Sequence, residues 1–579
     1  MKNRYSLALI ALLLFALSLP SFVFSQQRRD QSNSSAGVTP TGKNGPATGV
    51  PSRRPRVRGS ANPTEAVKQD FSEALEVIQQ HYIDGNKLDY NNVYKSSIIG
   101  MLRTLDPHSN YYDKEEFDEL KTDQRSEYFG IGASILNYAT GDQVDTYIAA
   151  TFPSSPANRA GLRYGDRIDR VDGMPMRGKS SAEVRDKIRG PRGSQVKLTI
   201  TRASNGKTDD VLISRDAVSQ PSVPDAYMLS STVGYVDMRR GFNYDTADGL
   251  DRALDYLHAK GMRSLVLDLR DNPGGFLDQA IKVADTFLPA PQLILTQKGR
   301  DGLNDHIYRS QNVNPDTTPL VILVDEYTAS ASEIVAGAMQ DHDRALIVGQ
   351  TSFGKGLVQS IIPLEYGAGL TLTSAKYYTP SGRLIQRDYS DGNFYNYIYR
   401  GGSLAGDNKG TQNKPAGPAS RTDTGRTVYG GGGITPDEQI KAGRLTTPQV
   451  RLRDPLFFFS LDLVTGKVPG FGKYQVDRAI EFDHDLETSD FEITDALYRA
   501  FQAYVAKDAS WKNLAPQLDR NRSFIEMQLR QNLVTAAYGT VIAARVITRE
   551  DPQVAKAVEV VPRARDLAMA ATRARLRQP

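Results

Sequence analysis

Three short segments carry residue types suited to hydrolytic chemistry: TASASEIVAG around Ser330, GQTSFGKGLV around Lys355, and LVLDLRDNPGGFLDQA around Gly274 and Gly275. Ser330 follows the apolar run LVILVD, so it falls where a strand turns into a helix. Such a junction exposes a hydroxyl for nucleophilic attack, and the helix start supplies amides to an oxyanion. Ser330 to Glu333 also match the S-x-x-E capping box, in which the serine satisfies an orphan amide and Glu333 reaches back. The fragment alone fits either reading. Lys355 lies 25 residues further on, past one helix and the strand ALIVG, so the chain has returned to the same end of the sheet. An amine whose charge is removed by burial can serve a serine as base; a lone lysine is otherwise a solvated surface charge. The paired glycines of the third segment let backbone amides point into a cleft, or simply make a tight turn.

The lysine segment also suggests a different chemistry. Gly349, Gly354 and Lys355 match the first part of a phosphate-binding P-loop, G-x-x-x-x-G-K-[ST]. The final position is Gly356, which has no hydroxyl for magnesium, and no clear amphipathic helix follows. A nucleotide-dependent protein is therefore the weaker alternative.

Composition narrows the classes further. The 579 residues contain no cysteine, which excludes disulfides, thiolate nucleophiles and cysteine-ligated zinc. The six histidines, His81, His108, His258, His306, His342 and His484, show no H-x-x-x-H pairing, so no metal and no cofactor is expected. A net charge of +4 gives no global reason to expect nucleic acid as partner.

The elements that must position these residues read as several domains. Residues 1–25 have the layout of a secretory signal, Lys2 and Arg4 before an apolar run, with an uncleaved membrane anchor as the alternative. Residues 26–62, polar and nearly without large apolar residues, read as a disordered linker. Residues 63–125 read as helical, with Val67, Phe71, Leu75, Ile78 and Tyr82 on one face. Residues 126–217 alternate short strands with two short helices, SPANRAG and SAEVRDKIRG, as in a small barrel-like module. Residues 218–448 alternate apolar strands with helices, an α/β layer arrangement; within them 400–433, rich in glycine, reads as a mobile surface insertion. Residues 449–579 are again mostly helical.

Taken together the segments resemble the C-terminal processing peptidases, also called tail-specific proteases. The resemblance rests on GMLRTLDPHSNYY, GIGASI, SPANRAGLRYGDRIDRVDG, LDLRDNPGG, TASASE, GQTSFGKGLVQ, KYYTPSGRLIQ and GGGITPD. It implies a multidomain α/β protein, with a crotonase-like βαβ peptidase core, an inserted PDZ domain and helical N- and C-terminal regions. It also implies Ser330 as nucleophile, Lys355 as general base, Gln359 as the residue that positions the lysine, and an oxyanion hole from Ala331 with Gly274 or Gly275. Glu333 and Asp341 match carboxylates of supporting role, against readings as a cap and a helix end. Gly130, Ile131 and Gly132, in FGIGA, match the loop that captures a chain-end carboxylate as the peptide adds to a sheet edge. Arg163 matches a residue that communicates between module and active site, against a plain surface arginine. The implied partners are protein or peptide substrates with free C-termini, with a regulatory or adaptor protein and a homodimer as further candidates; there is no nucleic acid, and membrane is met only through the N-terminal segment. The implied location is the periplasm or another extracytoplasmic space, with inner-membrane anchoring if the signal is retained. A non-catalytic PDZ scaffold that binds C-termini, with Ser330 as a helix cap, is the alternative.

Overall fold

The apolar runs of the α/β part form one six-stranded sheet in the computed structural model, which describes residues 63–123, 127–392, 394–399 and 417–577. The strand order is Asp225–Met228, Val233–Asp237, Ser264–Asp268, Leu320–Val324, Ala345–Gly349, Glu438–Gln439. The first pair is antiparallel and the rest are parallel. Successive side chains of a strand point to opposite faces, so a strand buried on both sides must be apolar throughout. Accordingly Leu265, Leu267, Ile322, Val324 and Ile347 pack on one face against helices Thr246–Ala259, Leu277–Phe287 and Ala331–Asp341. Val266, Val321, Leu323, Leu346 and Val348 pack on the other against Val554, Ala557, Val560 and Ala564 of the final helix, Pro552–Leu576. The end of the helical C-terminal region is thus one of the two layers covering the core sheet.

A second, antiparallel sheet lies beside the first. Strand Gly369–Tyr378 pairs with Leu357–Pro363 on one edge, and with Leu293–Gly299 and Asn110–Tyr112 on the other. Residues 106–112, expected within the N-terminal helical region, therefore belong to the core. The helices before them, Pro63–His81 and Tyr90–Arg103, fall in a separate compact unit that ends at Leu105. In that unit Val67, Phe71, Ile78 and Tyr82 are each at least 42% exposed.

The barrel-like module contains the strand order Ala133–Thr140, Gln143–Thr151, Arg167–Val171, Gln195–Thr201, Thr208–Ser214, with short helices Pro156–Arg159 and Ser181–Ile188. The chain enters and leaves it through one antiparallel ribbon, Glu127–Gly130 with Asp216–Ser219, as an inserted domain must. Tyr138, Tyr147 and Tyr164 of the module pack on Phe457 of helix Thr447–Val464, the Tyr138 ring stacked at 3.7 Å.

The 400–433 stretch departs from its expectation over its second half. Residues 417–433 are built into the core: Gly431 and Gly433 donate to the carbonyls of Leu384 and Ile385, and Arg426 pairs with Asp343 and Asp437. Gly433 serves close approach, since a Cβ on it would lie 2.4 Å from the Ser352 carbonyl oxygen. Residues 400–416, like 1–62, lie outside the described residues.

Candidate active site

Ser264–Asp268, Leu320–Val324 and Ala345–Gly349 are parallel neighbours. The three segments singled out above leave their carboxyl ends side by side, the place where open α/β sheets bind ligands. Short-range bonds join the first two. The Ala329 amide and the Ser332 hydroxyl donate to the Asn272 carbonyl at 2.9 and 3.2 Å, and Thr328 Oγ1 donates to the Leu269 carbonyl at 2.8 Å.

Ser330 sits at the N-cap of helix Ala331–Asp341 with φ 56° and ψ −116°. A non-glycine residue at positive φ is strained and persists only where its surroundings impose it. The surroundings here are Glu333 and Tyr377. Glu333 is fully buried and accepts four hydrogen bonds: from the Ser330 amide (2.8 Å), Ser352 Oγ (2.5 Å), the Gly354 amide (2.7 Å) and the Lys355 amide (2.8 Å). Ser330 and Lys355 donate to the same oxygen, Oε2, so their amide nitrogens lie no farther apart than twice 2.8 Å. The Tyr377 hydroxyl adds a second tie, lying 3.1 Å from the Ser330 carbonyl oxygen and 2.9 Å from that of Lys355. Burial raises the Glu333 pKa above the ordinary carboxylate value, and the four donors oppose that rise.

The side chain of Lys355 is part-buried, and its amine donates to Gln359 Oε1 at 2.8 Å. Desolvation lowers its pKa to about 8, against the smaller opposing pull of Asp106 and Glu333. Gln359 Nε2 and Thr373 Oγ1, on paired residues of neighbouring strands, are buried without a protein partner among the described residues. Two polar atoms so placed suit a bound water or a substrate peptide group.

The phosphate-loop reading fails on the same geometry. The amides of Gly354 and Lys355 are held by Glu333, that of Gly356 donates to Gln386 Oε1 at 2.8 Å, and the chain continues into strand Leu357–Pro363. Gly354 has φ 91°, and a Cβ on it would lie 2.9 Å from the Gly433 nitrogen. Its glycine is required by packing.

At the third segment, a Cβ on Gly274 would lie 2.7 Å from Ser330 Cβ and 2.9 Å from the Ala331 nitrogen, so the loop lies directly against the serine turn. The Gly274 amide is engaged by Asn272 Oδ1 at 2.9 Å. Those of Gly275 and Ala331 have no acceptor among the described residues. Of the two glycines, Gly275 is therefore the available donor.

Asp341 is not brought to this cluster. It closes the same helix at the far end, roughly 15 Å along the axis, where it accepts from Arg383 Nη2 and from Ser381. The Arg163 turn packs on helix Thr447–Val464 through Tyr164 and Gly165, and Arg163 makes no hydrogen bond to Ser330 or Lys355 among the described residues. In the small module the Ile131 carbonyl accepts from Ala157, and that of Gly132 from Phe152 and Ser155. Gly132 has φ 74°, and a Cβ there would lie 2.3 Å from Ser155 Cβ. The Tyr128 ring lies over Gly130, 2.8 Å from where its Cβ would be, and its hydroxyl faces the Gly132 amide, with Arg189 over the ring at 5.3 Å. Strand Ala133–Thr140 is an edge of its sheet.

Sequence reasoning missed Asp106, His108, Ser352 and Tyr377 as parts of the site. The one local signal was Asp-Pro at 106–107, a turn former; the convergence itself spans hundreds of residues and leaves no local pattern.

Comparison with known proteins bears on this geometry. Residues 232–392 match the profile of Peptidase family S41, and residues 148–202 that of a PDZ domain. A carboxy-terminal-processing protease of Bartonella bacilliformis is 37% identical over 322 residues, 55% of this chain and 72% of that protein. A probable CtpA-like serine protease of Staphylococcus aureus is 35% identical over 52% of this chain and 59% of its own length. Among solved structures, the photosystem II D1 C-terminal processing protease is 26% identical, covering 64% of this chain and 92% of that one with a TM-score of 0.34.

Proposed function

The chain belongs to peptidase family S41, and from that premise we propose that it is an exported serine endopeptidase that cleaves proteins near or from their C-terminus by a Ser-Lys mechanism. The observation that carries the mechanism is the single Glu333 oxygen that binds the amides of both Ser330 and Lys355. With a pKa of about 8, roughly one amine in ten is neutral at pH 7 without outside help. Neutral Lys355 takes the Ser330 proton as Oγ attacks the peptide carbonyl carbon, and the amides of Ala331 and Gly275 donate to the resulting oxyanion. The lysine ammonium then protonates the leaving amine, the acyl-enzyme forms, and a water deprotonated by Lys355 releases it. Gln359 keeps the amine aimed. Glu333 acts on the backbone, holding the nucleophile's turn and the base's loop together, and Asp341 fixes the far end of the helix.

The PDZ domain supplies the tail preference in this reading. A free carboxylate is held by the loop amides of Gly130, Ile131 and Gly132 while the tail adds to the edge of strand Ala133–Thr140. Export follows from the signal-like segment 1–25, with residence in the periplasm, soluble or anchored at the inner membrane. The exposed apolar face of Pro63–His81 suits a homodimer or a regulatory partner.

The test is hydrolysis of unfolded proteins bearing free or amidated C-termini, by wild type, Ser330→Ala and Lys355→Ala. The reading requires loss of cleavage in both variants and slower cleavage of amidated tails. Equal cleavage by either variant removes the Ser-Lys assignment; an unchanged rate on amidated tails removes the carboxylate role.

A further inference from the structure

The histidine of GMLRTLDPHSNYY sits against the lysine's pocket, although it belongs to neither partner of the proposed pair. Asp106, buried, accepts from the amides of His108 (2.7 Å) and Ser109 (2.8 Å) and from Ser109 Oγ (2.6 Å), making a closed turn. Ser109 Oγ in turn accepts from the Thr373 amide at 3.1 Å, and Thr373 is the cross-strand partner of Gln359, which holds the Lys355 amine. The turn is thereby fastened to the strand pair that carries the base. From it the His108 ring packs edge-on against Phe353, two residues before Lys355, and against Tyr397, sharing a 2.5 Å hydrogen bond between Nε2 and the Tyr397 hydroxyl.

We propose that the Asp106–Ser109 turn, with the His108 imidazole as its working group, is a positioning element for Lys355: it seals the amine's pocket from water and, through Thr373, braces the strand paired with the one from which Gln359 reaches it. The inference rests on the Ser-Lys reading. The groups that face the pocket are Asp106 and His108 on the turn, Glu333 on helix Ala331–Asp341, Tyr377 on strand Gly369–Tyr378, Gln359 on strand Leu357–Pro363 just after the lysine, Arg387 stacked on Phe353 at 3.7 Å, and Tyr397 on helix Phe394–Tyr399. Burial first, then the charges of Lys355 and Arg387, push the His108 pKa down to about 2. The ring is therefore neutral throughout the working range, which suits it as an uncharged plug and unsuits it as an acid or base. The Asp106 carboxylate attracts the lysine's proton, so the turn lowers the lysine's basicity only through the water it excludes.

The experiment is the pH profile of kcat/KM for peptide hydrolysis by wild type, His108→Ala and Tyr397→Phe, with Ser330→Ala and Lys355→Ala in parallel. Wild type should rise with an apparent pKa near 8. Opening the pocket in His108→Ala should move that limb toward the ordinary lysine value of about 10.4, lowering the rate at pH 7 by up to roughly 200-fold and restoring much of it at high pH. Tyr397→Phe keeps the His108 ring and removes the hydroxyl that bonds its Nε2 and accepts from Gln386 Nε2, so it should shift the limb the same way by less; it carries the test if His108→Ala does not fold. A loss equal at every pH, with the limb unmoved, overturns the proposal and leaves the Ser-Lys reading intact. Hydrolysis surviving in Lys355→Ala overturns both.

Discussion

Replacing Glu333 with glutamine isolates the tie between Ser330 and Lys355, the proposed nucleophile and base. The carboxylate receives four donors, two at each oxygen. An amide of the same shape offers one acceptor oxygen and adds two donors of its own. Its least costly orientation puts the NH2 group at the Oε1 position, where Ser352 can rotate its hydroxyl and accept, leaving the Gly354 amide facing a donor. A buried N–H left without an acceptor costs about 1–3 kcal/mol, and the remaining bonds lose their charge assistance, about 1 kcal/mol more. The removed desolvation cost of a buried carboxylate offsets part of this. The two costs together come to about 2–4 kcal/mol, so after that offset we expect Glu333→Gln to be less stable by about 1–3 kcal/mol and to react with a fluorophosphonate at Ser330 at least tenfold more slowly. Urea unfolding and the rate of label incorporation measure the two effects. A variant with wild-type stability and labelling rate would refute the claim that this carboxylate builds the site.

Other expectations follow from single contacts. Because the folded-state pKa of Lys355 is depressed, the unfolded chain binds more protons between about pH 8 and 10.5, so its burial penalty is complete below pH 8 and relieved as pH rises through that window. Lys355→Met should accordingly be more stable than wild type at pH 7, by up to about 3 kcal/mol, with the difference closing toward pH 10.5; a pH-independent difference in urea midpoints would contradict this. Gly275→Ala should abolish hydrolysis, since its Cβ would lie 2.1 Å from the Phe242 carbonyl oxygen at a φ of 147°; retained activity would show that the loop tolerates displacement. Tyr128→Ala, tested in a Ser330→Ala background, should bind a C-terminal peptide about fivefold more tightly by anisotropy, having lost about 1 kcal/mol of competition for the Gly132 amide; unchanged affinity would mean the phenol does not obstruct the loop.

The strand and helix pattern of the core was legible because buried parallel strands must be apolar on both faces, as LVILVD and ALIVG are. The order of the three segments along the chain also placed them at one end of the sheet, as parallel neighbours dictate. What remained hidden was which side chains each segment satisfies. Ser330 to Glu333 reads as a capping box and half behaves as one, with Glu333 returning to the Ser330 amide; its other three donors come from residues 19 to 22 positions away. Gly274 and Gly275 look equivalent in the sequence, and only the Asn272 side chain separates them. The glycine-rich 417–433 stretch has the composition of a mobile loop, yet Arg426, between Asp343 and Asp437, fastens it to the core. Asp341, at the opposite end of the serine's helix, matches the family by motif alone; its partner Arg383 could not be foreseen from spacing.

The central claim is that a neutral lysine amine activates one serine. Intact-mass and peptide mapping of the enzyme after brief fluorophosphonate treatment tests it most directly, comparing wild type with Lys355→Ala across pH 6 to 10. The account predicts one adduct on Ser330 in wild type, forming faster as pH rises through about 8, and no comparable adduct in the variant. Labelling of Ser330 at equal rates in both proteins, or labelling of another residue in its place, would contradict it.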